Sequence, residues 1–566
     1  MTEENYDVVV IGSGAAGLAA ACTGAANGHR VLLVERSTRI GGTSAISGGM
    51  VWIPANHKMA EIGIDDSEEM ARRYISQTVP GAADDARMDA FLRHGDAAVR
   101  YLEARTALRL RPVRRYPDYY PDLPGATAGG RVLEPVPFDG RQLGGDFRLL
   151  RDPLPEFMLF GGMMISREDI PKLRKLGKSA AATWDVCKLI ARYAAQRLHA
   201  HRGTSLVLGN ALVARLLRSA RDLSVDIRLN AGAERLTLED GRVAQLEVRV
   251  DGNASRVRTR AVVLATGGIS HDPALRQSFV PAAAGQRSAT FDAHAPGSGA
   301  RIALALGAAM SAPSRGVDDA LAFWVPVSCW QRDDGSPAMF PHTVTDRAKP
   351  GLIAVDRHGR RFVNEAVSYH EFVRAQLRRA DSAIPAWLVC DSRFLWKYGL
   401  GRIRPFALQT HREVASGYLK TARTLEALAD AIGVPRATLT ETLRCFNAGA
   451  RQGRDDAFGR GGNIYERHLG DGDHQPNPCV APIEHGPFYA VAVFPADLGM
   501  AAGLVTDEHA RVLRADGSAI DGLYACGNDM HSVMNGAYPG PGITLGPALV
   551  FGVIAAHHAL GHKLPV

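Results

Sequence analysis

Closely spaced cysteines, long apolar runs and a basic leader segment are all missing from this 566-residue sequence. The seven cysteines lie far apart and offer neither a CxxC metal pair nor the disulfide framework of a small secreted protein. No stretch of about 18 consecutive apolar residues occurs, so the sequence predicts no membrane span. The first residues, MTEEN, lack the basic segment and cleavage site of a signal peptide. We therefore expect a protein of a reducing compartment, the cytoplasm.

A strong excess of charge of one sign is also absent. Lysine and arginine number 66 against 59 aspartates and glutamates, so the formal net charge is only +7. Spread over the whole chain, this charge predicts no nucleic-acid partner. The composition, with 46% hydrophobic residues and 59 glycines, is typical of a globular α/β protein with many tight turns. The length predicts about two to four folding units rather than a single core.

The N-terminal sequence YDVVVIGSGAAGLAAACTGAANGHRVLLVERSTRIGGTS predicts a βαβ unit. Gly12, Gly14 and Gly17 have the GxGxxG spacing, which allows a tight turn, the close approach of a pyrophosphate and close packing of helix on strand. Glu35 ends the second strand, where a carboxylate can accept hydrogen bonds from ribose hydroxyl groups and disfavours a 2′-phosphate. These features predict a dinucleotide cofactor.

Three further segments distinguish FAD from NAD. IGGTSAISGG (residues 40–49) and AVVLATGG (residues 261–268) resemble FAD-binding segments of the fumarate reductase and succinate dehydrogenase flavoprotein superfamily. HAPGSGARIALALGAA (residues 294–309) resembles the glycine turn and helix that close this part of the same domain. Succinate dehydrogenases carry a histidine where GGTS stands here, so the resemblance implies non-covalent FAD. The expected FAD contacts are Gly12, Gly14, Ala15, Ala16, Gly17, Glu35, Arg36, Gly42, Thr43, Ser44, Gly48, Gly49, Ala265, Thr266, Gly267, Gly527, Asn528, Gly542 and Leu545.

The organisation of the chain follows from a strand near its other end. GLYACGN (residues 522–528) predicts a strand that ends in a glycine turn, and we expect it to join the sheet of the N-terminal strands. The predicted fold class is α/β, with a Rossmann-like FAD-binding domain that is discontinuous in sequence (residues 1–310 and 491–566). A second, α+β catalytic or capping domain is expected over residues 311–490. Catalysis is expected at the junction of the two domains.

A helical insertion in the first domain is expected at about residues 154–202. It begins with LPEFMLFGGMMI, continues with the cationic sequence REDIPKLRKLGKS and ends in an amphipathic helical pattern. One interpretation is a helical subdomain with a solvated basic face. The other is a peripheral membrane surface, on which apolar residues lie beside Lys172, Lys175 and Lys178. The second interpretation would place the protein at the inner face of the membrane.

Three dispersed motifs carry a closer resemblance. RYPDYYPDLPG (residues 115–125), GRRFVNEAVSYHEF (residues 359–372) and GNDMHSVMNGAYPGPGITLGPALVFG (residues 527–552) resemble signature regions of the 3-ketosteroid Δ1-dehydrogenases. The resemblance extends over nearly the whole chain except residues 154–202. It implies a flavoenzyme that removes a proton from C2 and a hydride from C1 of a 3-oxo steroid ring and leaves a double bond. It also implies a quinone or similar electron acceptor.

The same resemblance implies roles for single residues. The Tyr538 hydroxyl and the Gly542 amide match the family's two donors to the carbonyl oxygen, where negative charge develops. Tyr369 matches the base that takes the C2 proton, and Tyr119 matches the tyrosine that assists it. A free tyrosine, with a pKa of about 10, is a poor base at neutral pH, so a stabilised or relayed phenolate is required. The expected pocket residues are Tyr116, Phe323 and Pro541.

The turn sequence around Tyr538 is expected to hold both donors at one point. Pro539 and Pro541 restrict the backbone, and glycine at position 542 is expected to leave room for the substrate ring. For Phe323, within ALAFWVP, a pocket wall and a core strand are equally consistent with the sequence.

Other functions remain open. A fumarate or urocanate reductase would need cationic groups for carboxylates and usually an arginine proton donor, whereas residues 536–552 contain no arginine. A desaturase of a smaller cyclic ketone, such as a substituted cyclohexanone, would use the same reacting atoms with a shorter pocket. A flavin-binding protein without turnover would not need the set of phenols. No metal is expected, because the pairs His199 with His201 and His557 with His558 have no matching carboxylate or cysteine partners.

Overall fold

The computed structural model describes residues 4–177, 179–291 and 298–565, and within these ranges two large sheets carry flanking helices. The strands in these ranges, numbered β1 to β23 along the chain, are Glu4–Tyr6, Val8–Ile11, Val31–Val34, Val51–Trp52, Leu110–Pro112, Val132–Pro135, Phe138–Asp139, Met158–Leu159, Met163–Met164, Ser205–Leu206, Asp226–Arg228, Ala231–Glu239, Arg242–Val250, Asn253–Thr259, Val262–Leu264, Ala322–Gln331, Pro337–Pro341, Leu352–Val355, Ala386–Asp391, Leu419–Ala422, Phe488–Met500, Arg511–Leu513 and Ala519–Ala525. The α-helices in the same ranges, numbered α1 to α17, are Ala15–Ala26, Gly42–Ile46, Glu68–Thr78, Ala86–Arg105, Asp169–Arg174, Ala180–Arg197, Leu208–Asp222, Pro273–Arg276, Ser298–Leu304, Tyr369–Arg378, Ala380–Ala383, Ser392–Tyr398, His411–Ala415, Leu425–Ile432, Arg436–Ala450, Ile464–Leu469 and Leu545–Ala559.

The larger sheet is built from both ends of the chain. β2 lies between β3 and β15, β23 lies on the other side of β15, and all of these pairs are parallel. The register places Val9 beside Leu32 and Val262, and it places Val262 beside Leu523. A strand from near the end of the sequence therefore lies inside the sheet that starts the chain. This confirms the predicted Rossmann-like, discontinuous FAD-binding fold.

Apolar strands and small-residue helices form the core around this sheet. The side chains of β2 and β3, with sequences VVVI and VLLV, are buried, and burial of each stabilises the fold by roughly 1.5–3 kcal/mol. Helix α1, rich in alanine and glycine, packs against α17. A Cβ atom at Gly552 would lie 2.6 Å from the Ala16 carbonyl oxygen, so only glycine fits where these helices touch.

The second large sheet comes from the middle of the chain and is antiparallel. Its order is β17, β16, β21, β19 and β18, with β20 also paired to β21. Helix α10 packs on β16 and β21, whereas α14 and α15 cover the other part of the sheet with a small core that includes Leu428 and Leu443. This unit is the predicted α+β capping domain. Its strand β21 runs from Phe488 to Met500 and so continues past residue 490, where we predicted that the chain returns to the first domain.

The insertion of residues 154–202 consists of a short hairpin followed by α5 and α6. The predicted apolar face of α6 is divided, because Tyr193 is buried against the protein whereas Trp184 is 66% exposed. Leu198, which follows the helix, is 78% exposed. Lys178 lies outside the described residues. Within the described parts of the chain, no helix is both long enough and apolar enough to cross a membrane.

Candidate active site

Three tyrosines from separate segments meet in one hydrogen-bonded cluster between the two lobes. The Tyr119 hydroxyl donates to Tyr369 at 2.8 Å, and the Tyr369 hydroxyl donates to Tyr538 at 2.9 Å. The rings of Tyr119 and Tyr538 stack with their centroids 5.4 Å apart, while Tyr369 meets Tyr538 edge to face at 5.2 Å. None of the three residues is more than 6% exposed. The structure thus brings together the phenols of the three sequence motifs.

Tyr369 is placed by the start of α10. Ser368 precedes it as the N-cap, and the Ser368 hydroxyl accepts a hydrogen bond from the Glu371 amide. A serine at the N-cap with a glutamate three residues later is the spacing of a capping box, which is typical of a helix start. The Tyr120 hydroxyl, from the first lobe, donates to the Glu371 carboxylate at 2.9 Å. The start of α10 is therefore tied to the loop that carries Tyr119.

A buried ion network holds the loop of Tyr119, and the sequence analysis did not single it out. Asp118 accepts hydrogen bonds from the Trp52 indole at 3.0 Å and from Arg131 at 2.8 Å, and Arg131 also binds Asp66 through two nitrogens. The charged side chains are at most 1% exposed. Loss of one partner would leave an uncompensated charge inside the protein, which typically costs about 3–5 kcal/mol. The network therefore fixes the residue directly before Tyr119.

Close backbone contacts fix the loop of Tyr538. The Pro539 carbonyl oxygen accepts a hydrogen bond from the Tyr119 amide at 2.9 Å. Gly542 has a φ of 98°, and a Cβ atom there would lie 2.6 Å from the Met50 oxygen. We expected glycine at 542 to leave room for the substrate ring. The structure gives a different reason, because the crowded side of Gly542 faces the backbone that leads into β4.

Burial makes the phenols of the cluster weak acids. It raises the pKa of Tyr538 to about 12 and holds the pKa values of Tyr119 and Tyr369 well above the usual 10.0. The neighbouring hydroxyl groups raise the pKa values of Tyr119 and Tyr369 further, because two phenolates would repel each other. At neutral pH the resting cluster is therefore protonated, and a base at this position requires a stabilising positive charge or a relay.

Two buried groups beside the cluster were not indicated by the motifs. The ring centroid of Tyr465, on α16, lies 4.8 Å from that of Tyr119, and its buried hydroxyl has no hydrogen-bond partner among the described residues. His370 accepts a hydrogen bond from the Trp324 amide at 3.2 Å, and burial lowers its pKa to about 4. His370 is therefore neutral at pH 7. The sequence NIYERH around Tyr465 has no turn or spacing that could have identified it.

The predicted pocket residues surround the phenols. Phe323, on β16, meets Tyr538 edge to face with the centroids 5.5 Å apart, and Pro541 is buried. Tyr116 is also buried, and its ring centroid lies 4.7 Å from that of His468. A cavity beside this wall is lined by Phe323, Gly527, Asn528, Ile543, Thr544 and Phe551. Phe323 therefore both belongs to a core strand and faces the site.

The glycine turn before α1 has the shape that a dinucleotide needs. Cβ atoms at Gly12 and Gly17 would lie 2.2 Å and 2.0 Å from backbone oxygens, so both glycines are required for packing. Gly14 is the N-cap of α1 and has no side chain that could cap the helix. A Cβ atom at Gly14 would contact only the Ser44 hydroxyl, at 3.5 Å. The Ala15 amide donates to the same hydroxyl at 3.0 Å. A phosphate would complete this helix end.

The other predicted FAD contacts lie around this turn. A Cβ atom at Gly42 or Gly267 would have no neighbour within 4 Å, so the backbone is open to a ligand at both positions. The Glu35 carboxylate accepts hydrogen bonds from Ser13 and Ser37, which hold it at the end of β3. These features fit FAD.

The remaining predicted contacts lie in or next to α1, α2, α17, β3, β15 and β23, and they are Ala15, Ala16, Arg36, Thr43, Gly48, Gly49, Ala265, Thr266, Gly527, Asn528 and Leu545. Residues 294–297 of the third FAD motif lie outside the described residues.

The histidine pairs of the sequence are accounted for by ordinary contacts. His201 lies 3.3 Å from the Asp152 carboxylate, so it does have one acidic partner, and the Tyr524 hydroxyl lies 2.9 Å from His558. Among the residues that the structure describes, no three histidine, cysteine or acidic side chains are grouped so that they could hold a metal ion.

Comparison with known proteins adds three relatives. Residues 7–545 match the family described as FAD binding domain. The 4-oxocyclohex-2-ene-1-carboxylate 5-dehydrogenase of Sinomonas cyclohexanicum is 37% identical over 554 residues, which cover 96% of this chain and 92% of the relative. The 3-oxosteroid 1-dehydrogenase of Mycolicibacterium smegmatis is 35% identical over 570 residues, or 98% and 97% of the two chains. The crystal structure of 3-ketosteroid Δ1-dehydrogenase from Sterolibacterium denitrificans in complex with 1,4-androstadiene-3,17-dione has a TM-score of 0.90 and 37% identity, and the match covers 99% of this chain and 100% of that one.

Proposed function

The chain belongs to the FAD-binding domain family and, within it, to the 3-oxosteroid 1-dehydrogenases, and from this premise we propose that it desaturates the C1–C2 bond of a 3-oxo steroid. It is an oxidoreductase with FAD as its cofactor. One observation carries the proposal, namely the buried chain of hydrogen bonds from Tyr119 through Tyr369 to Tyr538. It combines a donor for a carbonyl oxygen with a proton acceptor close to that donor.

Each group has a separate task in this reaction. Tyr538 and the Gly542 amide donate to the 3-oxo oxygen, and each donor contributes about 3 kcal/mol of transition-state stabilisation. Tyr369 accepts the C2 proton, and Tyr119 shares the proton through its hydrogen bond. FAD, when bound, supplies the acceptor for the hydride from C1. Loss of one proton and one hydride leaves the C1=C2 double bond, so atoms and electrons balance.

The hydrogen bond from Tyr369 to Tyr538 has a consequence for substrate binding. Tyr369 donates its proton to Tyr538, so Tyr369 is protonated in this arrangement. To act as a base, Tyr369 must first ionise, and Tyr538 must direct its own proton to the ketone oxygen. Binding of the ketone between the two phenols would produce the second change, because the ketone oxygen is an acceptor only. The Tyr369 proton must leave separately, and the hydrogen bond with Tyr119 offers a path for it to solvent.

We further propose a quinone-type electron acceptor and a peripheral membrane contact through the insertion of residues 154–202. Phe160, Leu176, Trp184 and Leu198 of the insertion are between 49% and 78% exposed. Lys172 of α5 and Lys175, which follows the helix, lie close to them in sequence. Apolar side chains beside cationic ones favour binding to the surface of an anionic lipid bilayer. Quinones dissolve in the apolar interior of such a bilayer. Flotation with anionic liposomes tests the contact, and a protein that stays at the bottom of the gradient contradicts it.

A second candidate substrate is a cyclohexanone that carries a carboxylate. The Sinomonas relative is named for such a ring ketone. In this chain the Arg167 guanidinium lies 4.8 Å from the centre of the Tyr116 ring, and its Nη2 lies 3.1 Å from the Met50 sulfur. The Glu134 carboxylate lies 3.8 Å from Arg167 Nε, an ion pair without a hydrogen bond, and it is bound more closely by Arg111 at 2.7 Å. A cation on this pocket wall would pair with a carboxylate at the far end of a small ring.

Anaerobic bleaching of the bound flavin by saturated ketones tests both candidates. Bleaching by 4-androstene-3,17-dione with none by 4-oxocyclohexanecarboxylate supports the steroid. The opposite result supports the small acid. If neither class of ketone bleaches the flavin, the proposed function is wrong.

A further inference from the structure

Arg347 is a buried cation without a carboxylate partner. Its side chain is 2% exposed, and among the described residues no carboxylate lies within 4.0 Å of its guanidinium. The other arginines that are equally buried all form salt bridges with aspartate or glutamate, and they are Arg131, Arg202, Arg276 and Arg460. An isolated charge inside a protein is strongly unfavourable. Arg347 is therefore an exception that requires an explanation.

Backbone carbonyl groups bind this guanidinium, and two of them lie just before α10. Its Nη1 donates to the Glu365 oxygen at 2.9 Å and to the Val367 oxygen at 3.2 Å, and its other nitrogens reach two further carbonyl groups. The guanidinium lies 5.0 Å from the centre of the Phe372 ring, one turn after Tyr369. Arg347 thus holds the segment that presents Tyr369, from both sides of that residue.

The phenol cluster lies within the electrostatic reach of Arg347. Burial lowers the pKa of Arg347, and the nearby positive charge of Arg460 lowers it further. Negative charge on Tyr465, Asp346 or Tyr119 would raise that pKa. The Asp346 carboxylate is engaged by a histidine ring at 2.6 Å, and Arg460 is paired with a glutamate. The Tyr465 ring lies against Tyr119 at a tilted angle of 49°, and Tyr119 in turn donates to Tyr369. The Asp346 carboxylate thus acts on Arg347 from beyond 4.0 Å and is shared with that histidine, and an anion in the phenol cluster would supply a second counter-charge.

We propose that Arg347 is the counter-charge of the ionised Tyr119 and Tyr369 pair, a positioning residue that favours the phenolate without touching the substrate. The inference rests on the proposed function, because it assumes that Tyr369 is the base. A fixed cation in a region of low dielectric favours the charged form of a nearby phenol. When one phenol ionises, the two opposite charges balance inside the protein.

The test compares Arg347→Met with Arg347→Lys. For each purified holoenzyme, two quantities are measured between pH 6 and pH 10: the rate of anaerobic flavin reduction by ketone, and the washout of deuterium from C2. Arg347→Met should shift the ionisation that controls both rates upward by at least about one pH unit, which is about a tenfold loss at pH 7. Arg347→Lys keeps the charge and should stay within about half a unit of the wild type.

Arg276→Met is the matched control. Arg276 is as buried as Arg347 and also donates to backbone carbonyl groups, but its charge is paired with Asp497. This variant should lose thermal stability without a shift of the pH profile. An unshifted profile in Arg347→Met, or equal shifts in Arg347→Met and Arg276→Met, would overturn the proposal.

If Arg347→Met does not bind FAD, the lysine variant decides instead. A shift of its profile as large as about one unit would overturn the proposal, since the charge is retained. Failure of the proposed function is a separate outcome, because it appears as the absence of flavin bleaching in the wild type.

Other titratable groups near Tyr369 do not interfere with this assignment. Burial lowers the pKa of His370 to about 4. For Glu371, burial raises the pKa, but His370 and Arg374 outweigh that effect and lower it. Phenols also face Tyr369, and burial raises their pKa values: Tyr116, Tyr119, Tyr465 and Tyr538. His342, Asp346 and Arg460 lie beside Arg347 on the side of its own segment. The washout of C2 deuterium reports proton transfer to Tyr369, so a shift that appears in both measured rates belongs to the phenol cluster.

Discussion

The Tyr119 amide donates a hydrogen bond of 2.9 Å to the carbonyl oxygen of Pro539. This bond joins the loop of the proposed proton relay to the loop of the proposed carbonyl donor. The Tyr119 and Tyr538 rings also stack at 5.4 Å, so the two loops are in contact through both backbone and side chains. The geometry of donor and relay is thus set by the fold before a ketone enters.

Replacement of Tyr538 by phenylalanine should lower turnover by about a hundredfold or more, because one of the two donors to the developing oxyanion is lost. FAD should remain bound, and steady-state kinetics with the flavin absorbance of the purified variant check both points. Tyr524→Phe is the control, since Tyr524 contacts His558 away from the site. Near-normal turnover of Tyr538→Phe would contradict the assigned role.

Tyr369→Phe should stop the exchange of C2 deuterium with solvent, because no other group is assigned to take that proton. Mass spectrometry of labelled ketone incubated with enzyme measures the exchange. Tyr193→Phe removes a buried hydroxyl that binds the Phe160 carbonyl in the insertion, away from the chain of phenols, so it should keep the exchange. Unchanged washout in Tyr369→Phe would exclude this residue as the base.

The rate of flavin reduction should rise with pH. Burial raises the pKa of Tyr369, so the active phenolate is the minor form at neutral pH, and its fraction grows about tenfold per pH unit until the pH reaches that pKa. The rise should continue over the whole range from pH 6 upward and level off only at alkaline pH. Stopped-flow traces under anaerobic conditions give the profile. A rate that falls between pH 6 and pH 9 would be inconsistent with a phenolate base.

Gly542→Ala should lower the stability of the protein and also displace the loop that carries Tyr538. The strained φ alone costs about 1–3 kcal/mol, and the added Cβ atom would lie 2.6 Å from the Met50 oxygen. Gly517 provides a matched position, with a φ of 83° and no atom within 4 Å of a Cβ. Both alanine variants should unfold at a lower temperature, but only Gly542→Ala should lose at least about tenfold in turnover. Equal turnover in the two variants would mean that the Met50 contact does not matter.

Arg167→Gln separates the two candidate substrates. If the guanidinium pairs with a carboxylate, the variant should lose about tenfold or more in kcat/KM for 4-oxocyclohexanecarboxylate and little for its methyl ester. For a steroid ketone the change should be small. Equal losses for the acid and the ester would show that Arg167 acts by packing on Tyr116 and not by its charge.

The parts of the fold that repeat a short local pattern were predictable from the sequence. The glycine turn after β2, the strands VVVI and VLLV and the strand before Gly527 gave the Rossmann-like unit, because period and turn residues are local signals. The meeting of Tyr119, Tyr369 and Tyr538 was inferred from a family resemblance. No spacing in the sequence predicts it, since the contacts join three distant segments.

The sequence did not indicate the buried charged residues that hold the loops of the tyrosine cluster. Asp118 and Arg131 stand 13 residues apart without a periodic pattern, and their salt bridge forms only when their loop folds over Trp52. Tyr465 and Arg347 likewise belong to segments with no motif, yet Tyr465 lies against Tyr119 and Arg347 binds the backbone just before Tyr369. Such partners depend on tertiary contacts between distant segments, which sequence patterns of a few residues do not report.

The position of β23 has a consequence for biosynthesis. This strand, Ala519–Ala525, lies between β13 and β15, so the middle of the first sheet is filled by residues that the ribosome makes more than 250 residues after those of β15. Until they emerge, the strands on either side of the gap cannot pair through it, and α1 lacks the helix that packs on it. Newly made chains should therefore acquire their flavin only after β23 and α17 have emerged, and a premature stop codon before residue 519 should yield protein that cannot retain it.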